Sequence, residues 1–299
     1  MSLVSLTKIQ ENSINSMEQA TLESLDLIGY SFRKKIKNIV IKPNLCYYWD
    51  YSTGQTTDPK FVAALISLIR EKVSPSVDID IVESDASAMK CKYAFKMLGY
   101  EKLAQKYDVN LVNLSEDKCD KVEVTAGNQS FHFMLPWTIR DADLKINIPK
   151  IKYASERVKL TCALKNIYGC NPYAKKFKYH PRIEETIVAL NKIMKFDLCI
   201  IENNIVSGAK PCRLGLVMAS RDSVAIDVAA AKISGINPKT IKYLSLAAKE
   251  GLGRMKFVQK GVPLDYFKIR YPRKGIRKKL MGKAFEFVVT LRLNKRLGI

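Results

Sequence analysis

The chain is predicted to be an α/β protein: a mostly parallel sheet with helices on both faces, built as two closely packed α/β lobes, followed by a basic amphipathic carboxyl-terminal helix. Three observations predict it. Short β-branched runs alternate with segments of helical apolar spacing. Proline, glycine and asparagine punctuate the run ends. Positive charge is concentrated at the end of the chain. The α/β body is expected over 1–264, with lobes at about 30–115 and 116–264, and the tail over 265–299.

The first thirty residues, with Ile14, Met17, Ala20, Leu22, Leu25 and Ile28 among polar neighbours, read as helix. Residues 38–41 form a buried strand that Pro43 ends, leaving Lys42 and Asn44 at its carboxyl end. A loop closes at Thr56-Thr57-Asp58-Pro59, where an acceptor side chain followed by proline starts a helix with Phe61, Ala64, Leu65, Leu68 and Ile69 on its apolar face. A strand at 77–82 ends in Glu83-Ser84-Asp85, a helix through Ala94 and Leu98 stops at Gly99, and a strand follows at 109–114. Strand–helix alternation at these lengths argues for parallel pairing. Residues 122–135 alternate around Gly127-Asn128, a hairpin signal. Beyond it come a strand at 144–148, a helix at 182–194, strands at 198–201 and 216–219, and helices at 223–233 and 238–249, the last stopped by Gly251 and Gly253.

With 299 residues, 47% apolar and 26% charged, the chain can bury a large core. No apolar run reaches the roughly 20 residues of a membrane span, and no secretory leader is evident, so a cytoplasmic protein is expected. The seven cysteines include no C-x-x-C pair, which disfavours a disulfide framework, a zinc site and an iron–sulfur cluster. The cofactor is left open. No phosphate-binding loop, dinucleotide fingerprint or hydrolase nucleophile motif is present.

In open α/β sheets ligands bind beyond the carboxyl ends of the strands. Polar clusters fall there: Lys42 with Asn44, Glu83 with Asp85, Lys150 with Lys152, and Lys165-Asn166 with Gly169. Lysine supplies a compact cation and asparagine both a donor and an acceptor, which suits a carboxylate or phosphate. Thr56 and Thr57 precede a helix start, where free amides favour an anion. Lys42, Lys150 and Lys165 are expected to neutralise the ligand, Asn44 and Asn166 to orient it, and His180 or Asp85 to move a proton. The competing interpretation is plain: strand-end lysines are often simply solvated, asparagines bond their own turns, and Asp58 and Asp222 cap helices. Asp227, in an otherwise apolar helix, needs a partner, and a site lysine is one candidate.

The segments IVIKPNL, G-x-T-T-D-P, INIPKIK and TCALKN-x-YG, then His180, RDSVAIDVAA and EGLG, together resemble the domain of unknown function 362 family over residues 36–255. The resemblance implies an α/β fold and a shared site at Lys42, Asn44, Thr56, Thr57, Asp58, Lys150, Lys165, Asn166, Gly169 and His180. Some members of that family carry a ferredoxin-like cysteine module, which this chain lacks.

Residues 265–299 hold eleven basic against two acidic residues, a net +9 of the chain's +21. Ile276, Leu280, Ala284, Phe287, Val288 and Leu291 follow helical spacing among Arg277, Lys278, Lys279, Lys283 and Arg292, a pattern that fits an anionic membrane surface or a helix packed on the body. The sequence therefore favours an enzyme-like binder of a small anionic metabolite. The alternatives are an iron–sulfur-linked electron-transfer protein and a membrane-surface or nucleic-acid binding module acting through the tail.

Overall fold

Alternating side chains decide how the strands sit. In β2 (Asn38–Pro43), Ile39 and Ile41 belong to one hydrophobic core while Val40 belongs to another. The computed structural model describes residues 1–273, and the expected tail helix lies outside the described residues.

In chain order, β1 (Ser2–Lys8) and α1 (Ile14–Leu27) precede β2. Then come α2 (Pro59–Lys72), β3 (Asp78–Glu83), α3 (Cys91–Met97), α4 (Tyr100–Tyr107) and β4 (Asn110–Asn113). A hairpin of β5 (Cys119–Ala126) and β6 (Gln129–Pro136) leads through α5 (Trp137–Arg140) to β7 (Leu144–Ile148). The short strands β8 (Lys152–Tyr153) and β9 (Leu160–Thr161) pair with each other before α6 (Ala163–Asn166) and α7 (Ile183–Met194). The chain continues through β10 (Leu198–Val206), β11 (Cys212–Ser220), α8 (Ser223–Ile233), α9 (Lys242–Lys249), β12 (Phe257–Gly261) and α10 (Leu264–Arg270).

One eight-stranded sheet runs β12-β1-β11-β10-β7-β2-β3-β4. The block from β10 to β4 is parallel throughout, and β11 is antiparallel to both of its neighbours. Helices from the first and second halves of the chain cover opposite faces of this sheet. Helices α1 to α4 pack with Ile39, Ile41, Ile79, Ile81, Ile146 and Ile200, whereas α6 to α9 and the hairpin pack with Val40, Val82, Cys199, Ile201 and Met218. The parallel strands are therefore buried on both sides, which is why their cores read as continuous apolar runs.

Residues 2–8 form an edge-proximal strand, not the start of a helix. Val4 and Leu6 face one core, while the hydroxyls of Ser5 and Thr7 on the other face donate to the carbonyl oxygens of Ser24 (2.6 Å) and Ala20 (2.7 Å) in α1. The hydroxyls of these small polar residues are thus satisfied internally. The body also continues beyond residue 264: Phe267 of α10 is fully buried, and the Tyr271 hydroxyl donates to the Ile151 carbonyl at 2.8 Å.

Candidate functional site

The carboxyl ends of β2 and β3 meet the short strands β8 and β9, α6 and the loop after it around a cavity of about 360 Å3. Register brings the groups together, because Lys42 stands opposite Asn147 on β7 and Glu83 ends the neighbouring strand β3. Lys42, Asn44, Lys152, Lys165, Asn166, Gly169 and His180 all line the cavity, with Glu83, Cys46, Tyr168 and Lys176 beside them.

Helix α6 owes its position to a carboxylate beneath it. Asp227 of α8 is fully buried and accepts the amides of Ala163 (2.7 Å) and Leu164 (3.2 Å), the free donors at the helix start. Its partner is thus the backbone that presents Lys165 and Asn166, and not a site lysine as the sequence suggested. Burial first of all pushes its carboxyl up to about 7, against the opposing hydrogen bonds.

Asparagines then form a relay across the cavity floor. Asn147 Nδ2 donates to the Ala163 carbonyl (2.9 Å), Asn166 Nδ2 donates to Asn147 Oδ1 (2.7 Å), and Asn44 Nδ2 donates to Asn166 Oδ1 (2.7 Å). Lys152 Nζ completes it by donating to Asn44 Oδ1 (2.6 Å) and to the Gln55 carbonyl (2.8 Å). Each amide uses its donor and its acceptor, so the relay fixes both the side-chain orientations and the ammonium at its end.

The lysines differ sharply in how they are neutralised. Lys42 pairs with Glu83 at 2.8 Å, both side chains being buried. Gly169 lies against this pair, where a Cβ would come 3.0 Å from Glu83 Oε1 and 3.1 Å from Lys42 Nζ. Among the described residues Lys176 donates to two neutral acceptors, the Ser84 hydroxyl (2.6 Å) and the Gly169 carbonyl (3.3 Å), and burial, partly offset by the charge of Glu83, brings its amine down to about 8. Lys165 Nζ stands 4.1 Å from the centre of the Tyr168 ring, and among the described residues it has neither a carboxylate nor a hydrogen-bond acceptor. Its amine also falls to about 8, through burial first and then the repulsion of Lys176 and Lys152. Burial likewise lowers Lys152, although the Cys46 sulfur beside it works the other way. His180, between Tyr168 and Phe177, is held below the usual imidazole range by burial and by Lys165 and Arg157, so at neutral pH it is an uncharged donor and acceptor.

Five other expected site residues, Lys150, Thr56, Thr57, Asp58 and Asp85, stand back from the cavity. Lys150 pairs with Glu202 at 2.9 Å and donates to the Ile205 carbonyl (2.8 Å), both ionic side chains being 1% exposed. Thr57 accepts the Asn44 amide (2.8 Å) and donates to the Ile148 carbonyl (2.9 Å), while Thr56 donates to the Trp49 carbonyl (2.6 Å); these hydroxyls stitch the loop closed. Gly54 belongs to the same closure: its left-handed backbone approaches Val206 and Ser207 so closely that a Cβ would lie 2.3 Å from their main chain. Asp85 faces the start of α3, accepting from the Cys91 amide and Lys90 Nζ, each at 2.8 Å. Burial would raise its carboxyl, but these bonds outweigh it and hold it below the ordinary range. Asp58 caps α2 by accepting the Lys60 amide (2.8 Å), and Asp222 caps α8.

Lys176, Asn147, Tyr168 and Cys46 are among the cavity and relay residues that sequence reasoning missed. An asparagine inside the apolar run of β7 was a usable signal, since a buried amide requires partners. Lys176 sits among Lys175 and Lys178 in a run that reads as solvated, and nothing local separates it from them.

Fold and cavity together define an α/β protein with a lysine-rich cleft at the carboxyl edge of a largely parallel sheet. The chain belongs to the family described as Domain of unknown function (DUF362), whose model matches residues 39–232. It is 27% identical over 267 residues to the Thylakoid-associated protein sll1697 of Synechocystis sp., covering 85% of this chain and 79% of that protein. Among solved structures, the lactate racemase apoprotein of Thermoanaerobacterium thermosaccharolyticum aligns at a TM-score of 0.47 and 14% identity, over 79% of this chain and 58% of that one. Among the described residues no helix is long and apolar enough to cross a membrane, and no group of three or more His, Cys, Asp or Glu is placed to hold a metal ion.

Proposed function

We propose that the cleft binds a small metabolite through a carboxylate or phosphate group. One observation carries this reading: Lys42, Lys152, Lys165 and Lys176 line the cavity, but among the described residues Glu83 is its one lining carboxylate and is already paired with Lys42. Lys152, Lys165 and Lys176 consequently share the cavity with no carboxylate in direct contact among the described residues. Their mutual repulsion is relieved by an anion, and the relay ending at Lys152 and Asn44 is pre-organised to hold its oxygens. A volume of about 360 Å3 suits a small molecule.

Titration with inorganic phosphate, lactate and citrate, followed by calorimetry and thermal shift, tests the proposal. At least one should bind with an affinity that falls with added salt and is lost in Lys165→Ala and Lys176→Ala. Unchanged melting and no heat with all three anions would refute it.

A second reading, association with an anionic membrane surface, is favoured by the name of the cyanobacterial relative and by exposed aromatic side chains at the cavity mouth, Tyr47 and Phe177. Flotation with anionic and neutral vesicles tests it, with recovery only on anionic vesicles as the expected result.

A further inference from the structure

The anion-binding reading leaves one group unused. An ammonium needed only for charge would gain from hydrogen-bond acceptors like those given to Lys152 and Lys176. Lys165 has none among the described residues, lies over an aromatic face and projects into the cavity. We propose that Lys165 is a carbonyl-reactive amine, and that the ligand is a small 2-oxo acid or carbonyl phosphate with which it forms an imine. The inference rests on the anion site and names the substrate class.

The surroundings supply what the step needs. Lys176 and Lys152 line the same cavity as Lys165, their charges bear on its amine, and they can hold the anionic end of a ligand beside it. His180 and Lys165 flank the same Tyr168 ring, the imidazole 6.4 Å from it between centres and Nζ 4.1 Å away. The neutral amine attacks the carbonyl carbon, a C–N bond forms, and the C–O π pair moves to oxygen, which takes a proton to give the carbinolamine. The nitrogen loses its extra proton, hydroxide leaves with a second proton as water, and the C=N bond closes. His180, uncharged at neutral pH, is the group at hand to carry protons between nitrogen and oxygen. No oxidant or further reactant is required.

The two neighbouring cations also favour its neutral form: Lys176 and Lys152 oppose its charge, while the Cys46 sulfur and the Tyr168 ring favour it. With its amine at about 8, about one molecule in ten carries the free base at pH 7, against roughly one in 2,500 for an ordinary lysine. Labelling at this position should exceed that at a surface lysine by about two orders of magnitude.

The test is borohydride trapping of the full chain with pyruvate and, separately, dihydroxyacetone phosphate, read by intact mass and peptide mapping. One reduced adduct per chain on Lys165 is expected, with a trapping rate that rises with pH to a midpoint near 8. It should be suppressed by lactate or inorganic phosphate and absent from Lys165→Arg and Lys165→Met, whose folding is checked by circular dichroism. The reactive probe distinguishes a 2-oxo acid from a carbonyl phosphate. Binding of lactate or phosphate without an adduct, or adducts spread evenly over surface lysines in wild type and Lys165→Arg alike, would overturn the inference and leave anion binding standing. No binding of any anion would overturn both.

Discussion

Replacing Lys165 with methionine should stabilise the protein while abolishing ligand binding. The gap between an ordinary lysine and about 8 corresponds to about 3 kcal/mol of cost in keeping the amine charged at neutral pH, an upper bound because water reaches the cavity. Methionine removes that cost and keeps most of the side-chain volume, but it gives up the cation–π contact with Tyr168, worth about 1 kcal/mol. The net is a gain of about 1–2 kcal/mol, or about 5 °C in melting temperature for a chain of this size. The pH dependence makes the attribution specific. Because the folded amine titrates below the unfolded one, from about pH 8 to about pH 10.5 the unfolded chain carries a proton that the folded chain has lost. Wild-type stability gains from Lys165 as pH rises through that window, and the advantage of methionine should shrink across it. Urea denaturation of both proteins near neutral pH and near pH 9.5 measures this. A methionine variant less stable than wild type at neutral pH, with an unchanged pH difference, would show that Lys165 is structural.

Lys150→Met should have the opposite effect, losing about 3–5 kcal/mol because Glu202 remains buried and charged, and Glu202→Gln in the same chain should restore much of it; a Lys150→Met protein of wild-type melting temperature that fails to bind anions would place Lys150 in the site. Asp227→Asn should loosen α6 and flatten the acid limb of stability. A carboxyl raised to about 7 is protonated in the folded chain while ionised in the unfolded one from about pH 4 upward, so wild-type stability falls as pH rises through that range, and denaturation at several pH values would expose an unchanged slope in the variant. Asn44→Ala removes an acceptor from Lys152 and a donor from Asn166, and should weaken phosphate or lactate binding about tenfold by calorimetry, the equivalent of one hydrogen bond.

How far the sequence led can be traced residue by residue. Asp58-Pro59 and Asp222 announced their helices because a cap is local chemistry, and α8 begins at Ser223 as expected. Gly127-Asn128 announced the hairpin for the same reason. Strand order was not local: the pairing of β2 with β7 bridges roughly a hundred residues, and only it explains why Lys42 meets Asn147. The strand at Ser2–Lys8 escaped notice because Ser5 and Thr7 bury their hydroxyls against α1, a tertiary circumstance absent from any window of sequence. Part of the cavity lining, Lys42, Asn44, Glu83 and Lys152, was legible as polar residues at or just beyond strand ends. Which lysines carry uncompensated charge was not, because that depends on where Glu83 and Glu202 project.

That dependence recasts the role of charge in this protein. A buried lysine beside a carboxylate adds little field, since its partner cancels it at the distance of a ligand. Lys42 and Lys150 are of this kind, and they fix the ends of β2 and β7 relative to β3 and β10. Lys152, Lys165 and Lys176 are held instead by amides, carbonyls, a hydroxyl and a ring, which orient an ammonium without neutralising it. The paired lysines thus build a rigid frame, and the frame confines like charges that would otherwise separate. On the anion-binding reading proposed above, that rigidity would raise the benefit of an incoming anion, because the frame keeps the lysines from relieving their repulsion by moving apart.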